Sequence, residues 1–188
     1  MPTFSRGNSK TGNVITYSRT PGDTCPGASD LCASICYAKR PYRRYSQTRA
    51  QWDANASVTD IPTLPLGPAT IRLHVSGDFD TAEYVLAWYF ALRARPDVLA
   101  WTYTRSWRVP ELLPYLEKLR GLPNVQMFAS TDQTITETPP DGWRVAFIDG
   151  DDRYSGITCP EQTGVKASCA ECGICFIGKR GNIRFLKH

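Results

Sequence analysis

Residues 69–131 constrain the fold more than any other part of the chain. They read as "ATIRLHVSGDF", "DTAEYVLAWYFALRARP", "VLAWTYTRS", "VPELLPYLEKLRGLP" and "NVQMFAS" in succession. The first, third and last segments carry the β-branched and aromatic residues of buried strands. The second and fourth place apolar residues at helical spacing. Asp80 or Thr81 is positioned to cap the first helix, Pro96 lies beyond its end, and Pro110 falls near the first turn of the second. Strand-helix-strand order repeated twice implies parallel strands joined by right-handed crossovers. An open α/β sheet and part of a (β/α) barrel both satisfy it.

Flanking segments extend the pattern. Residues 14–17 suit a short strand, "WRVAFID" is a further apolar run with no convincing helix before it, and residues 183–186 suit a closing strand. Residues 31–54 lack glycine, and only Pro41 interrupts a helical pattern, so a helix with a kink or break near Arg40 is expected. A length of 188 residues allows one domain with a real core, with 1–158 as the α/β body and 159–188 as a tail packed on it. No apolar run approaches the roughly 20 residues needed to span a bilayer, and the start has no signal-like apolar segment. The expectation is a cytoplasmic protein without membrane contact.

That placement gives the seven cysteines their meaning, because a reducing compartment turns clustered thiols towards metal or catalysis. Cys169, Cys172 and Cys175 form C-x2-C-x2-C, and Cys159 stands upstream in a Cys-Pro pair. Three thiolates at that spacing suit successive corners of an iron-sulfur cubane, which a fourth from elsewhere completes. A lone zinc ion more often takes paired C-x2-4-C hooks. Zinc or free thiols are the alternatives. The tail is Gly-rich and buries little apolar surface by itself, so a metal staple is expected to hold it.

Cys25, Cys32 and Cys36 follow the first strand with spacing C-x6-C-x3-C, at the mouth of a helix. Unpaired amides and the helix dipole favour anions there. Three cysteines leave one iron of a cubane without a protein ligand, open to substrate. The alternatives are a structural role for Cys32 or Cys36, or one cluster shared among all seven.

The stretches "CPGASDLCASICYAKR", "RLHVSGDFDTAEYVLAWYFALR", "WTYTRS", "FASTD" and "CPEQTG...CAECGICF...IRFLKH" resemble the bacteriophage and actinobacterial family labelled gene product eighty-eight over nearly the whole chain. More distantly the chain is similar to phage-type radical S-adenosylmethionine (SAM) enzymes, in which a cysteine trio ending in Cys-Tyr precedes a partial (β/α) barrel. The expected fold is therefore an α/β partial barrel of about five to six strands with a Cys-rich, metal-stapled tail. The resemblance implies that Cys25, Cys32 and Cys36 bind a 4Fe-4S cluster whose free iron chelates SAM, with Tyr37 beside it. It implies Ser76, Gly77 and Asp78 near the SAM amino group, and Ser130, Thr131 and Asp132 near the ribose. Cys159, Cys169, Cys172 and Cys175 would then hold an auxiliary cluster. Against the wider pattern, the trio spacing is not C-x3-C-x2-C and Ser-Gly-Asp replaces Gly-Gly-Glu.

The net charge of +4 is unevenly spread. Residues 1–49 carry 8 basic and 2 acidic side chains, 50–158 carry 9 and 14, and 159–188 carry 5 and 2. Lys39, Arg40, Arg43, Arg44 and Arg49 interleave with Tyr37, Tyr42 and Tyr45, combining phosphate-pairing cations with rings that stack on bases. Lys179, Arg180, Arg184 and Lys187 could extend that patch; a solvated helix face is the alternative. His74 alternates onto the same strand face as Arg72 and Ser76, either aimed at a ligand or hydrogen-bonded in the core. Asp149, Asp151 and Asp152 suit a magnesium site or an acidic turn. Trp88, Trp101, Tyr103 and Trp107 suit an adenine platform or the core. Patterns for hydrolases, NTPases, zinc proteases and Rossmann dinucleotide binding are missing. The functional expectation is an iron-sulfur protein of radical SAM type acting on nucleic acid or a nucleotide. A non-catalytic cluster-dependent module binding nucleic acid or a host protein, and a zinc-stabilised binding protein, are the rivals.

Overall fold

The computed structural model describes residues 1–177 and 181–187. Seven strands make one sheet: β1 (Ile15–Tyr17), β2 (Ala69–Leu73), β3 (Val98–Thr104), β4 (Val125–Thr131), β5 (Arg144–Ile148), β6 (Ile157–Thr158) and β7 (Ile183–Phe185). Their order is β1-β2-β3-β4-β5-β7-β6, and every pairing is parallel. The count exceeds the expected five to six because β6 has only two residues, too few to show a period of two. The sheet is open, with β1 and β6 as its edges; the expected partial barrel reduces to this coarser architecture.

From β1 to β5 the strands lie side by side in chain order, with no reversal. Right-handed crossovers taken always in one direction put their connections on one face of the sheet. There α4 (Ala82–Ala94) and α5 (Leu113–Arg120) bury Trp88, Leu92, Leu116 and Leu119 against Ile71, Leu73, Val98, Ala100, Val125 and Met127. Thr81 caps α4 by accepting the amide of Tyr84 at 3.2 Å, as the sequence allows; α5 starts later than expected, so Pro110 lies in the turn before it and Pro114 takes the first-turn place where no amide proton is needed.

Alternate residues of the same strands face the other way. Phe128, Ala146 and Ile183 form a second cluster there with Cys159, joined by Tyr103, Ile174, Cys175 and Phe185. The tail covers this face. It includes the short helix α6 (Cys169–Cys172), and its Cys169 and Ala170 amides donate to the Lys10 and Thr11 carbonyls at 2.8 and 3.2 Å. Phe176 lies against Trp101 with ring centroids 4.9 Å apart. Strand pairing and aromatic packing hold the tail against the sheet. Among the described residues no group of three or more His, Cys, Asp or Glu side chains could hold a metal ion as placed.

The helical region 31–54 breaks into three: α1 (Asp30–Ser34), α2 (Lys39–Arg44) and α3 (Ser46–Ala56). Pro41 is the third residue of α2, where helix amides are unpaired anyway, so it opens a helix rather than kinking one. Asn55 anchors α3: its amide donates to the carbonyls of Ser18 (2.8 Å) and Thr3 (3.1 Å), and its oxygen accepts from the Thr3 amide. Among the described residues, no helix is long and apolar enough to cross a membrane.

Candidate functional site

The loop carrying Cys25 and Cys32 lies across the carboxyl ends of β2, β3 and β4, the edge where parallel sheets present their ligand-binding loops. Four contacts fasten it. The Asp78 amide donates to the Thr24 carbonyl at 3.0 Å, and Arg108 donates to the Gly27 carbonyl at 3.0 Å. Ser29 donates to Asp132 at 2.7 Å while its oxygen caps α1 by accepting the Cys32 amide at 3.0 Å. Gly77, at φ 77°, runs so close to the loop that a Cβ would stand 2.5 Å from Thr24 Oγ1. Only glycine fits both that conformation and that gap.

The sequence-predicted residues Asp78 and Asp132 thus converge on the trio, and both influence Cys32 electrostatically. Their oxygens are already engaged. Asp78 accepts from Thr104 (2.6 Å) and from the amides of Arg105 (2.7 Å) and Phe79 (2.8 Å). Asp132, fully buried, accepts from Ser29 and Thr134 and pairs with Arg105 at 2.8 Å. Burial lifts the Asp78 carboxyl to about 6 despite those hydrogen bonds. Burial pushes Asp132 up as well, but its hydrogen bonds and the Arg105 charge outweigh it and hold the carboxyl low. Ser76 donates to the Arg19 carbonyl at 2.9 Å, the carbonyl of Ser130 accepts from Trp107 at 3.0 Å, and Thr131 is buried. The Tyr37 hydroxyl donates to the Val75 carbonyl at the end of β2, beside the trio. Burial, then the Asp78 charge, pushes the Cys25 thiol up to about 12.

The tail cysteines gather on the opposite face. Cys159, Cys169, Cys172 and Cys175 line one small pocket together with Arg72 and Tyr103. Its free volume is about 20 Å³, room for about one water molecule. Tyr103 donates to Cys175 Sγ at 2.9 Å, and burial raises the Cys175 thiol to about 11 and that of Cys169 above its ordinary value. No cysteine of either group is in a disulfide.

Between the two groups stands Arg72, a residue whose role sequence reading missed. It is 9% exposed, in no ion pair among the described residues, and its Nε has no hydrogen-bond partner. Its guanidinium lies 5.4 Å from the Tyr103 ring centre. Burial opposes its charge; Tyr37, Tyr103, Cys169 and Cys175 favour it. A buried cation without an anion is costly; the one carboxylate lining the same pocket, Glu161, is paired with Lys10 at 3.1 Å, which leaves thiols and phenols as the groups beside Arg72 that can become anionic.

Over residues 2–178 the sequence matches the Gene product 88 family. The chain belongs to that family. It is 28% identical to the Gene 88 protein of Mycobacterium phage L5 over 95% of this chain and 89% of that one. It is equally 28% identical to the Gene 88 protein of Mycobacterium phage D29, over 93% and 88%. No solved structure matches it.

In this member of the Gene product 88 family, the N-terminal cations do form a surface feature. Lys39, Arg40, Arg43 and Arg44 line an open groove of about 670 Å³ that reaches Cys36. Arg49, from α3, is not part of that lining. Lys179 and Arg180 fall outside the described residues, and Arg184 is bound to Thr158 and faces Asp149 at 3.6 Å. His74 does not share the face of Arg72. Its φ of 58° ends β2 and turns the ring into the helix-side core, where Nε2 meets the Tyr84 hydroxyl at 2.9 Å and the ring abuts Phe79. Asp151 is buried in an ion pair with Arg153 at 2.7 Å. Trp88, Trp101 and Trp107 are core residues.

Proposed function

We propose that this protein is an iron-sulfur protein whose tail cysteines, Cys159, Cys169, Cys172 and Cys175, hold a 4Fe-4S cluster. Cys25, Cys32 and Cys36 then form a second, three-cysteine site of the radical SAM kind. The observation that carries the reading is Arg72: a buried guanidinium with an orphaned Nε and no carboxylate partner, lining the same pocket as four thiols, where the one carboxylate, Glu161, is held by Lys10. Soft thiolate ligands suit iron-sulfur clusters, and a net anionic cluster is the counter-charge the guanidinium lacks. The pocket volume sets a condition, since the thiols must turn outward to admit anything larger than water. Tyr103 and Arg72 would donate hydrogen bonds to cluster sulfur or thiolate, and the aromatic lid of Trp101 and Phe176 would exclude solvent. A bound cluster supplies one-electron chemistry.

Protein made without oxygen and assayed for iron and sulfide tests this. Two cubanes predict roughly eight irons per chain and one predicts roughly four. A colourless preparation rich in zinc sinks the reading.

A second reading keeps the cluster and drops SAM cleavage, making the protein a cluster-dependent binding module. It is favoured by the engaged oxygens of Asp78 and Asp132, which leave little for a SAM amino group or ribose to bind. If SAM changes the paramagnetic resonance spectrum of the reduced protein, the enzymatic reading stands; if SAM is neither bound nor cleaved, the module reading does.

A further inference from the structure

We propose that the groove of Lys39, Arg40, Arg43 and Arg44 binds the phosphate backbone of a single-stranded nucleic acid and carries it past Cys36. The proposal rests on neither cluster. It starts from a contrast with six ion-paired arginines elsewhere in the chain. Arg19, Arg95, Arg105, Arg108, Arg120 and Arg153 each pair with an aspartate or glutamate. Among the described residues, no ion pair involves any cation between positions 39 and 49, and no acidic side chain lines the groove.

Four positive charges with no carboxylate partner on one short helix repel each other, and like charges at helical neighbour spacing destabilise it; Lys39 has a partial offset in the Ala33 carbonyl, to which it donates at 2.7 Å. α2 has only six residues and buries none of them, and its packing on α3 through Tyr42, stacked on Trp52, does not neutralise the four charges. A polyanion would. The spacing suits a chain of phosphates: Lys39 and Arg43 are four residues apart, as are Arg40 and Arg44, so the charges form two adjacent rows along the helix. Asp53 touches α2 through the Tyr42 hydroxyl (2.7 Å) and also accepts from Thr20 (2.8 Å), but it forms no ion pair with the groove cations.

Two features select a single strand. The groove is open and shallow rather than a closed pocket for one nucleotide. Tyr37 and Tyr45, at the two ends of the helix, are 50% and 54% exposed, and unpaired bases can stack on such rings. Arg44 lies 5.8 Å from the Tyr45 ring centre, keeping cation and ring on one surface. Cys36 is the one trio cysteine on the groove wall, so a bound strand passes the open side of the three-cysteine site.

The test is fluorescence anisotropy with an end-labelled single-stranded oligonucleotide of mixed sequence, on the full chain, with iron content measured on each sample. Four phosphate contacts predict a slope of log affinity on log salt of about −2.8, hence a loss of about fifty-fold between 50 and 200 mM salt. Arg40→Gln, Arg43→Gln and Arg44→Gln combined should leave a slope of about −0.7, while Arg93→Gln on α4 leaves it unchanged. Tyr45→Leu should weaken binding about fivefold or more at constant slope. Circular dichroism confirms that the variants fold. The proposal is overturned if the triple variant keeps the wild-type slope, if duplex of the same length binds better than single strand, or if a polyglutamate peptide competes equally. Because binding is read at known iron content, loss of the cluster and loss of the groove give separate results.

Discussion

The two cysteine groups are built in opposite ways. The tail group has four thiols in a closed pocket beside Arg72, and no carboxylate pairs with that guanidinium. The trio has three thiols beside two aspartates, and there the Arg105 guanidinium is paired with Asp132. In the tail pocket the one carboxylate, Glu161, is taken by Lys10 and Arg72 is left without a partner, whereas the guanidinium beside the trio is already balanced. The tail pocket faces the inside of the sheet layer, whereas the trio reaches the surface through Cys36 on the cationic groove. If both groups hold clusters as proposed, the contrast divides them into a buried site in the tail and an accessible one at the strand ends. β2 serves both, sending Arg72 to the first and Ser76, Gly77 and Asp78, just beyond it, to the second.

The largest effect should come from the cysteines themselves. Cys175→Ser should remove about four irons per chain, and so should Cys32→Ser. The two should differ in what else fails: only the tail variant should expose residues 169–177 to limited proteolysis. If either substitution alone strips all the iron, the seven thiols share one centre and the comparison breaks.

Next in size is Asp132→Ala. It leaves Arg105 buried without its partner and frees the Ser29 cap of α1, and breaking a buried pair this way costs about 3–5 kcal/mol. Urea unfolding measures it. The loss should fall on the trio side, seen as faster amide exchange over residues 25–36 than over β7.

Much of this was legible in the sequence. The order of strands and helices from 69 to 131 and a cap at Asp80 or Thr81 follow from periodicity and capping preference, while the gathering of Asp78 and Asp132 near the trio was implied by the family resemblance. Three things were not. β6 is too short to carry a pattern. The arginine at position 72 reads as an ordinary outward strand residue, and only the tail folding back over it shows that it is buried. His74 defeated strict alternation, because one left-handed residue reverses the facing of everything after it, and nothing local marks a histidine for that conformation. The tail looked too poor in apolar residues to stand alone. Its partners, Trp101 and Tyr103, lie some 70 positions away in β3, beyond any local reading.

His74 also makes the fold sensitive to acid at the point where β2 divides between the two sites. Burial, then the Arg19 charge, lowers its imidazole from 6.5 to about 3, so the folded protein keeps it neutral. The unfolded chain takes up a proton below about 6.5. Its contribution is therefore whole above that value and lost as pH falls towards 3, at about 1.4 kcal/mol per pH unit. Asp78 works the other way: its carboxyl, raised to about 6, strains the fold when ionised and relaxes it as pH falls below that. The clean reading is the difference between wild type and His74→Gln in urea at pH 7 and pH 4.5. That difference should shift by about 3 kcal/mol in favour of the variant at the lower pH. No shift would mean that the ring is reached by water and that β2 does not hold its two ends rigidly apart.

The smallest expected effect has the most diagnostic sign. Arg72→Met keeps the length and apolar stem of the side chain and removes its charge. In iron-free protein the guanidinium is a buried cation with no carboxylate and an unsatisfied Nε, so the substitution should stabilise, by about 1–4 kcal/mol. In iron-loaded protein the same charge would face an anionic cluster, and removing it should destabilise and speed iron loss to a chelator. Arg72→Lys should fall between, since a lysine keeps the charge but not the planar set of donors. Thermal unfolding of both forms of each variant gives the answer. Opposite signs in the two forms would tie Arg72 to the tail thiols as their counter-charge. Equal destabilisation in both would leave it as a packing partner of the Tyr103 ring, and the asymmetry between the two cysteine groups would then need another source.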